Sequence, residues 1–237
     1  DVFFVISGFL ITRILINELN THQRINWKYF LIKRFNRIFP ALLVTLTITA
    51  CVAWYFLGPS HLEDFNKTLQ SSLFGVSNIY YLTNKIGYFN NIFDDPLGHT
   101  WSLGVEEQFY LLYPFLIFLV FFFKNNKFLK LQIVFLTIFF VSLFIFKTTL
   151  ETNPLVAFYL SPLRFWELIF GAILFLNYKK FKKNNLISIG AFLLILYYIF
   201  SHKSYNYFYL NLTVVFLSGV FVLFFNKSNI IESNKLV

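Results

Sequence analysis

The sequence has no methionine, a single cysteine and few charges, and each scarcity narrows what the chain can be. One cysteine, Cys51, allows no disulfide within the chain and no Cys-ligated metal site. It lies inside an apolar stretch, where it reads as a small packing residue, and no metal site is expected. Charged residues make up 13% of the positions, against roughly 25% in a soluble domain. The chain therefore has about half the usual means of covering itself with water. The missing methionine, together with an apolar run that starts directly after Asp1, gives the expectation that the true N-terminus lies upstream. A signal peptide would place a basic region before its apolar stretch, and none is present.

What fills the sequence instead is hydrophobic: 57% of the residues, with 35 phenylalanines. Apolar residues fall in blocks of about 15–20, the length that crosses some 30 Å of hydrocarbon. Helices of a soluble protein would show one polar face, and these do not. The fold class expected is all-α, a polytopic transmembrane helix bundle in one domain over 1–237. About seven spans are expected: Val2–Leu19, Phe39–Leu57, Leu103–Phe123, Leu131–Thr149, Leu163–Tyr178, Leu186–Phe200 and Leu210–Phe225.

The segments between them alternate in charge. Fifteen Lys and Arg residues gather in the segment from Arg13 to Arg37, around Lys124–Lys130, in the "KKFKK" run and in the C-terminal tail. The opposite segments hold only Lys67, Lys85 and Lys203. The positive-inside rule places the basic side in the cytoplasm and the segment 58–99 outside. The net charge of +9 is thus a topological signal; no nucleic-acid partner is expected, because no basic run is interleaved on a soluble module. In the outer segment, Leu62, Phe65, Leu69, Leu73 and Val76 share one helical face, and Ser60 with Glu63 has the spacing of a capping box. This amphipathic helix is expected along the outer surface or over the bundle, with "NNIFDDPLGHT" as a loop.

Three polar clusters stand out from the apolar background. In "KRFNRIFP", Arg34 and Arg37 share a helical face, either as interfacial anchors or as an anion clamp whose guanidiniums match phosphate oxygens. Pro40 then marks a helix boundary or a first turn. In "GHTWSLGVEEQFYLLYP", Glu106 and Glu107 enter the third span, either complementing a helix N-terminus near Thr100 or Ser102 or facing inward with a partner, since a lone ionised group at mid-membrane costs about 2.5–3.5 kcal/mol. In "SPLRFWELIFGAIL", Arg164 and Glu167 are three apart, as a local ion pair or as site residues. Gly171 allows close helix contact.

With "DVFFVISGFLIT" added, these motifs in this order resemble the successive signatures of acyltransferase family 3, over nearly the whole chain. The long outer segment resembles the branch that often carries an added soluble esterase-like domain. The resemblance implies a multi-pass protein of the bacterial inner membrane. It would transfer an acyl group, usually acetyl, from cytoplasmic acetyl-CoA to a hydroxyl of a cell-surface or lipid-linked glycan, such as an O-antigen. Arg34 and Arg37 match the pair implied to bind the donor's phosphates. Asp1, Glu106, Glu107, Arg164 and Glu167 match polar family positions with less settled roles. The family's favoured catalytic histidine lies in a span before Asp1. Among His22, His61, His99 and His202 only His99 falls inside a motif, so Glu106, Glu107 and His99 are the catalytic candidates here. The chain is expected to be incomplete at both ends and inactive by itself.

Two other classes fit the composition. A transporter or flippase of a lipid-linked sugar would also use inward charges, but no internal repeat of the kind common in transporters is visible. A structural subunit of an envelope assembly is the other. The charge asymmetry yields a direct test of orientation. With Cys51 replaced by Ala, a cysteine at Asn84 should react with an impermeant thiol reagent in intact cells and one at Lys127 should not. The reverse pattern would invert the topology.

Overall fold

The computed structural model describes residues 1–84, 86, 95–122, 127–201 and 206–225. Among them the structure is helical, without a strand: α1 (Val2–His22), α2 (Trp27–Phe56), α3 (Pro59–Leu73), α4 (Ser77–Thr83), α5 (Trp101–Phe122), α6 (Lys127–Thr152), α7 (Pro154–Tyr159), α8 (Ser161–Asn177), α9 (Asn185–Phe200) and α10 (Tyr207–Phe224). Each of the seven expected spans falls on a helix. Among the described residues, five regions are long and apolar enough to cross a membrane: α1, α2, α5 with the short 3-10 turn before it, α6 and α10. The other two, α8 and α9, have 17 and 16 residues and need tilt or local thinning to do so.

Several local expectations are corrected. Pro40 neither starts nor ends a helix, for α2 runs through it. A proline leaves the carbonyl one turn back without its usual donor, and the apolar run on both sides continues the helix regardless. The capping box does not form at Ser60: Gly58 is the N-cap of α3 and Pro59 follows it, so Ser60 lies two residues past the cap position. Val76 is not on the amphipathic face, because α3 stops at Leu73 and Val76 is exposed. Cys51 is exposed rather than packed. The expected loop at 90–100 lies outside the described residues as far as Asp94; its last part forms a 3-10 turn at Gly98–Thr100.

The chain divides into two compact units. The first comprises Asp1–Ile14, Gln132–Phe139 and Trp166–Val237. Its helices approach through small residues. A Cβ on Gly8 would run into the Leu168 carbonyl, and one on Gly171 into the Val5 carbonyl. Phe9 packs edge-on to Phe175 at 5.5 Å. The pair α9–α10 is joined by Ser188 Oγ donating to the Phe221 carbonyl at 3.2 Å and Lys183 Nζ donating to the Leu223 carbonyl at 3.0 Å. A basic side chain on the last carbonyls of a helix is favourable there.

The second unit comprises Leu15–Leu131 and Phe140–Phe165. Here α3 folds back along α2. Phe65 joins Leu42, Leu46, Ala53 and Leu97 in one core cluster, with Leu69 and Leu73 packed against it. Thus the apolar face of α3 is buried against α2, and its end comes back to the level of Phe35 and Ile38, with which Leu73 and Phe74 share a cavity. The amphipathic face read from the sequence is thus the face that packs on α2.

The turn after α3 satisfies its own backbone. Gly75 has φ +66°; its N–H bonds the Ser72 carbonyl at 3.2 Å, and the Val76 N–H bonds the Ser71 carbonyl at 2.9 Å. This is the Schellman arrangement, with glycine at the left-handed position. The small-residue contacts of the first unit set a stability test. Gly8→Ala and Gly171→Ala should each cost about 1–3 kcal/mol by overpacking, seen as a lower melting temperature in detergent. Gly190→Ala has open space around it and should cost nothing; an equal loss there would remove the close-approach explanation.

Candidate functional site

The second unit holds a cavity of about 370 Å³, within the size range of small-molecule sites. One wall is α2, with Leu31, Arg34, Phe35, Ile38 and Phe39; the opposite wall is α5, with Glu107, Tyr110 and Leu111; Leu73 and Phe74 close it from the end of α3. The lining is apolar except for Arg34, Glu107 and Tyr110. Two motifs about 70 residues apart in sequence therefore meet at one place.

Arg34 is partly buried, with its guanidinium 5.8 Å from the centroids of both Phe30 and Tyr110. These are cation–π distances. The Tyr110 hydroxyl donates to Glu106 Oε2 at 2.7 Å. The Arg34 charge is attracted by Glu106 and repelled by Arg37. Arg37 is exposed and does not line the cavity. Glu106 and Glu107 repel one another, and being adjacent on a helix they point about 100° apart: Glu106 is held by Tyr110, and Glu107 borders the cavity. They stand in the second turn of α5, whose first turn has no acid. The helix-terminus reading fails for that reason, since the dipole effect fades within one turn.

Beside the cavity lies a closed polar network. Asn78 Nδ2 donates to the Tyr159 carbonyl at 3.1 Å and to Ser161 Oγ at 3.0 Å, while its Oδ1 accepts from Gln108 Nε2 at 2.9 Å. Ser161 Oγ in turn donates to Gln108 Oε1. Asn78 and Ser161 are fully buried, and such groups are tolerated only when satisfied. Ser72 and Thr100 add a hydroxyl pair at 2.7 Å. Asp95 accepts from Tyr81 at 2.8 Å, from Thr68 at 2.9 Å and from the Leu97 N–H at 3.0 Å. Burial first, and then the Asp95 carboxylate, push the Tyr81 phenol upward, so it remains a donor.

Arg164 is wholly buried, its Nε donating to the Phe158 carbonyl at 3.2 Å. Its guanidinium lies 5.0–5.4 Å from the ring centroids of Phe158, Phe146 and Trp101. Glu167, also wholly buried, belongs to the first unit, where its Oε1 accepts from Asn211 Nδ2 at 3.3 Å. His99 is exposed in the 3-10 turn, and Asp1 is exposed immediately before α1. The structure thus gathers Arg34, Glu106 and Glu107 and leaves Arg37 and His99 outside the cavity. The sequence reading missed Tyr110, Gln108, Asn78, Ser161 and Gly75. Tyr110 was within reach of it, four residues after Glu106 on the same face.

The chain matches, over residues 1–234, the family described as an acyltransferase domain. It is 33% identical over 184 residues to the peptidoglycan O-acetyltransferase OatA of Listeria monocytogenes, and 38% identical over 144 residues to the O-acetyltransferase OatA of Staphylococcus aureus. These alignments cover 73% and 60% of the chain but 28% and 23% of those proteins, so the chain spans about a quarter of their length. It is 30% identical to an uncharacterized protein of Haemophilus influenzae, covering 93% of this chain and 91% of that one. No solved structure matches it.

Proposed function

We propose, on the premise that this chain belongs to acyltransferase family 3, that it is the membrane part of an enzyme moving an acetyl group from acetyl-CoA to a hydroxyl of a cell-envelope glycan. The observation that carries this reading is the cavity where Arg34 faces Glu107 and Tyr110 across apolar walls. An acyl thioester needs such a site: a cation for the donor's phosphates, apolar walls for its uncharged arm, and a base beside the reacting carbonyl.

In the reaction, the acceptor hydroxyl oxygen attacks the thioester carbonyl carbon. The carbon–oxygen bond forms, the carbon–sulfur bond breaks, and the hydroxyl proton passes through the base to the departing sulfur. Glu107 is the carboxylate that the cavity offers for that proton. Glu106 already accepts the Tyr110 hydroxyl and so holds the ring that lies 5.8 Å from the Arg34 guanidinium. The name of the Listeria relative favours a peptidoglycan hydroxyl as acceptor, and the basic side of the chain, cytoplasmic by the positive-inside rule, supports a cytoplasmic donor.

The test uses membranes containing the full gene product and labelled acetyl-CoA. Arg34→Ala should weaken donor use about 10- to 150-fold, the equivalent of a lost charge-assisted hydrogen bond of about 1.5–3 kcal/mol. Arg37→Ala, outside the cavity, should weaken it less. Arg34→Lys should rescue only in part, because an ammonium lacks the bidentate fork. Wild-type donor use by both alanine variants at normal expression would rule out an arginine donor site.

A further inference from the structure

The turn that ends α3 meets the Glu107 side chain directly. A Cβ on Gly75 would run into Glu107 Oε2, with the carboxyl carbon 3.0 Å away. Gly104, one turn before Glu107 on α5, is matched to the same turn: its Cβ would stand 3.0 Å from the Gly75 carbonyl oxygen and 2.6 Å from Asn78 Oδ1. Two glycines thus let the backbone of the turn lie flat against α5, and the Glu107 carboxylate rests on the bare face of Gly75. The turn is held there from both sides, by Ser72 on Thr100 and by Asn78 on Gln108.

We infer that Gly75 is a positioning residue for Glu107: the turn from α3 to α4 is the surface that fixes the carboxylate at the edge of the cavity. This rests on the proposed role of Glu107. A side chain at position 75 would push the flexible end of Glu107 away and leave α5 itself in place. The left-handed φ of Gly75 is a separate reason for glycine, and the choice of substitution separates the two. Asn tolerates that φ but still carries a Cβ, so Gly75→Asn and Gly75→Ala should behave alike if the Glu107 contact is what matters.

The experiment is a double-mutant cycle on the full gene product in membranes, with labelled acetyl-CoA and kcat and KM read separately. Glu107→Gln should lower kcat roughly 100-fold, the usual scale for a lost acid–base group. Gly75→Ala and Gly75→Asn should lower kcat at least about tenfold, with the donor KM within about threefold of wild type. The combination of either with Glu107→Gln should be no worse than Glu107→Gln alone, as for groups acting through one another. Multiplying losses would overturn the inference, as would wild-type kcat in a Gly75 variant, a loss in Gly75→Ala that Gly75→Asn lacks, or failure of both Gly75 variants to accumulate while Glu107→Gln does. Wild-type turnover by Glu107→Gln would instead overturn the role of Glu107 on which the inference stands.

Discussion

A helix that ends against other helices must satisfy its last carbonyls within the protein, because neither its own next turn nor free water is there to do so. The turn at Phe74–Val76 meets that demand. Gly75 takes the left-handed conformation, two N–H groups bond back into the last turn of α3, and neighbouring side chains tie the segment to α5. The cavity follows from this. With α3 folded along α2, Leu73 and Phe74 arrive opposite Arg34, and Glu107 meets the tip of the turn.

Most of the buried polar groups of this region are paired, Ser77 Oγ being an exception. Asn78, Gln108 and Ser161 close a ring in which the three side chains bond one another. Asp95 collects two hydroxyl donors and a backbone N–H. Arg164, among Trp101, Phe146 and Phe158, meets aromatic faces and a carbonyl. Delocalised guanidinium is weakly hydrated and suits such a place better than an ammonium would. A satisfied network of this kind rigidifies its surroundings, whereas a partly satisfied one is costly. That stiffness suits a cavity whose polar residues must keep their relative positions.

The helical fold was legible because apolar blocks about 20 residues long admit few alternatives; each expected span coincides with a helix. The Arg34 and Glu106–Glu107 motifs were legible as ionisable residues in or beside apolar runs, where they cost free energy. Their meeting was not, because periodicity reports a residue's face and not the neighbour it turns toward. The path of α3 was hidden for the same reason: an amphipathic face fits an interface as well as a groove between helices. Gly75 did carry a signal, a glycine two residues after the last apolar position of α3, but Val76 continued the spacing and masked it. Asn78 and Ser161 lie 83 residues apart, and no local pattern links them.

The path of α3 back along α2 is the claim on which the site depends, and distance between the two helices tests it most directly. In full-length protein with Cys51→Ala, cysteines would be placed at Leu73 and Ile38 or at Leu73 and Phe56, then treated with a short membrane-permeant bifunctional thiol reagent. The fold predicts a cross-link between positions 73 and 38 and none between 73 and 56. A link from 73 to 56 without one to 38 would place α3 at the outer end of α2 and contradict the account.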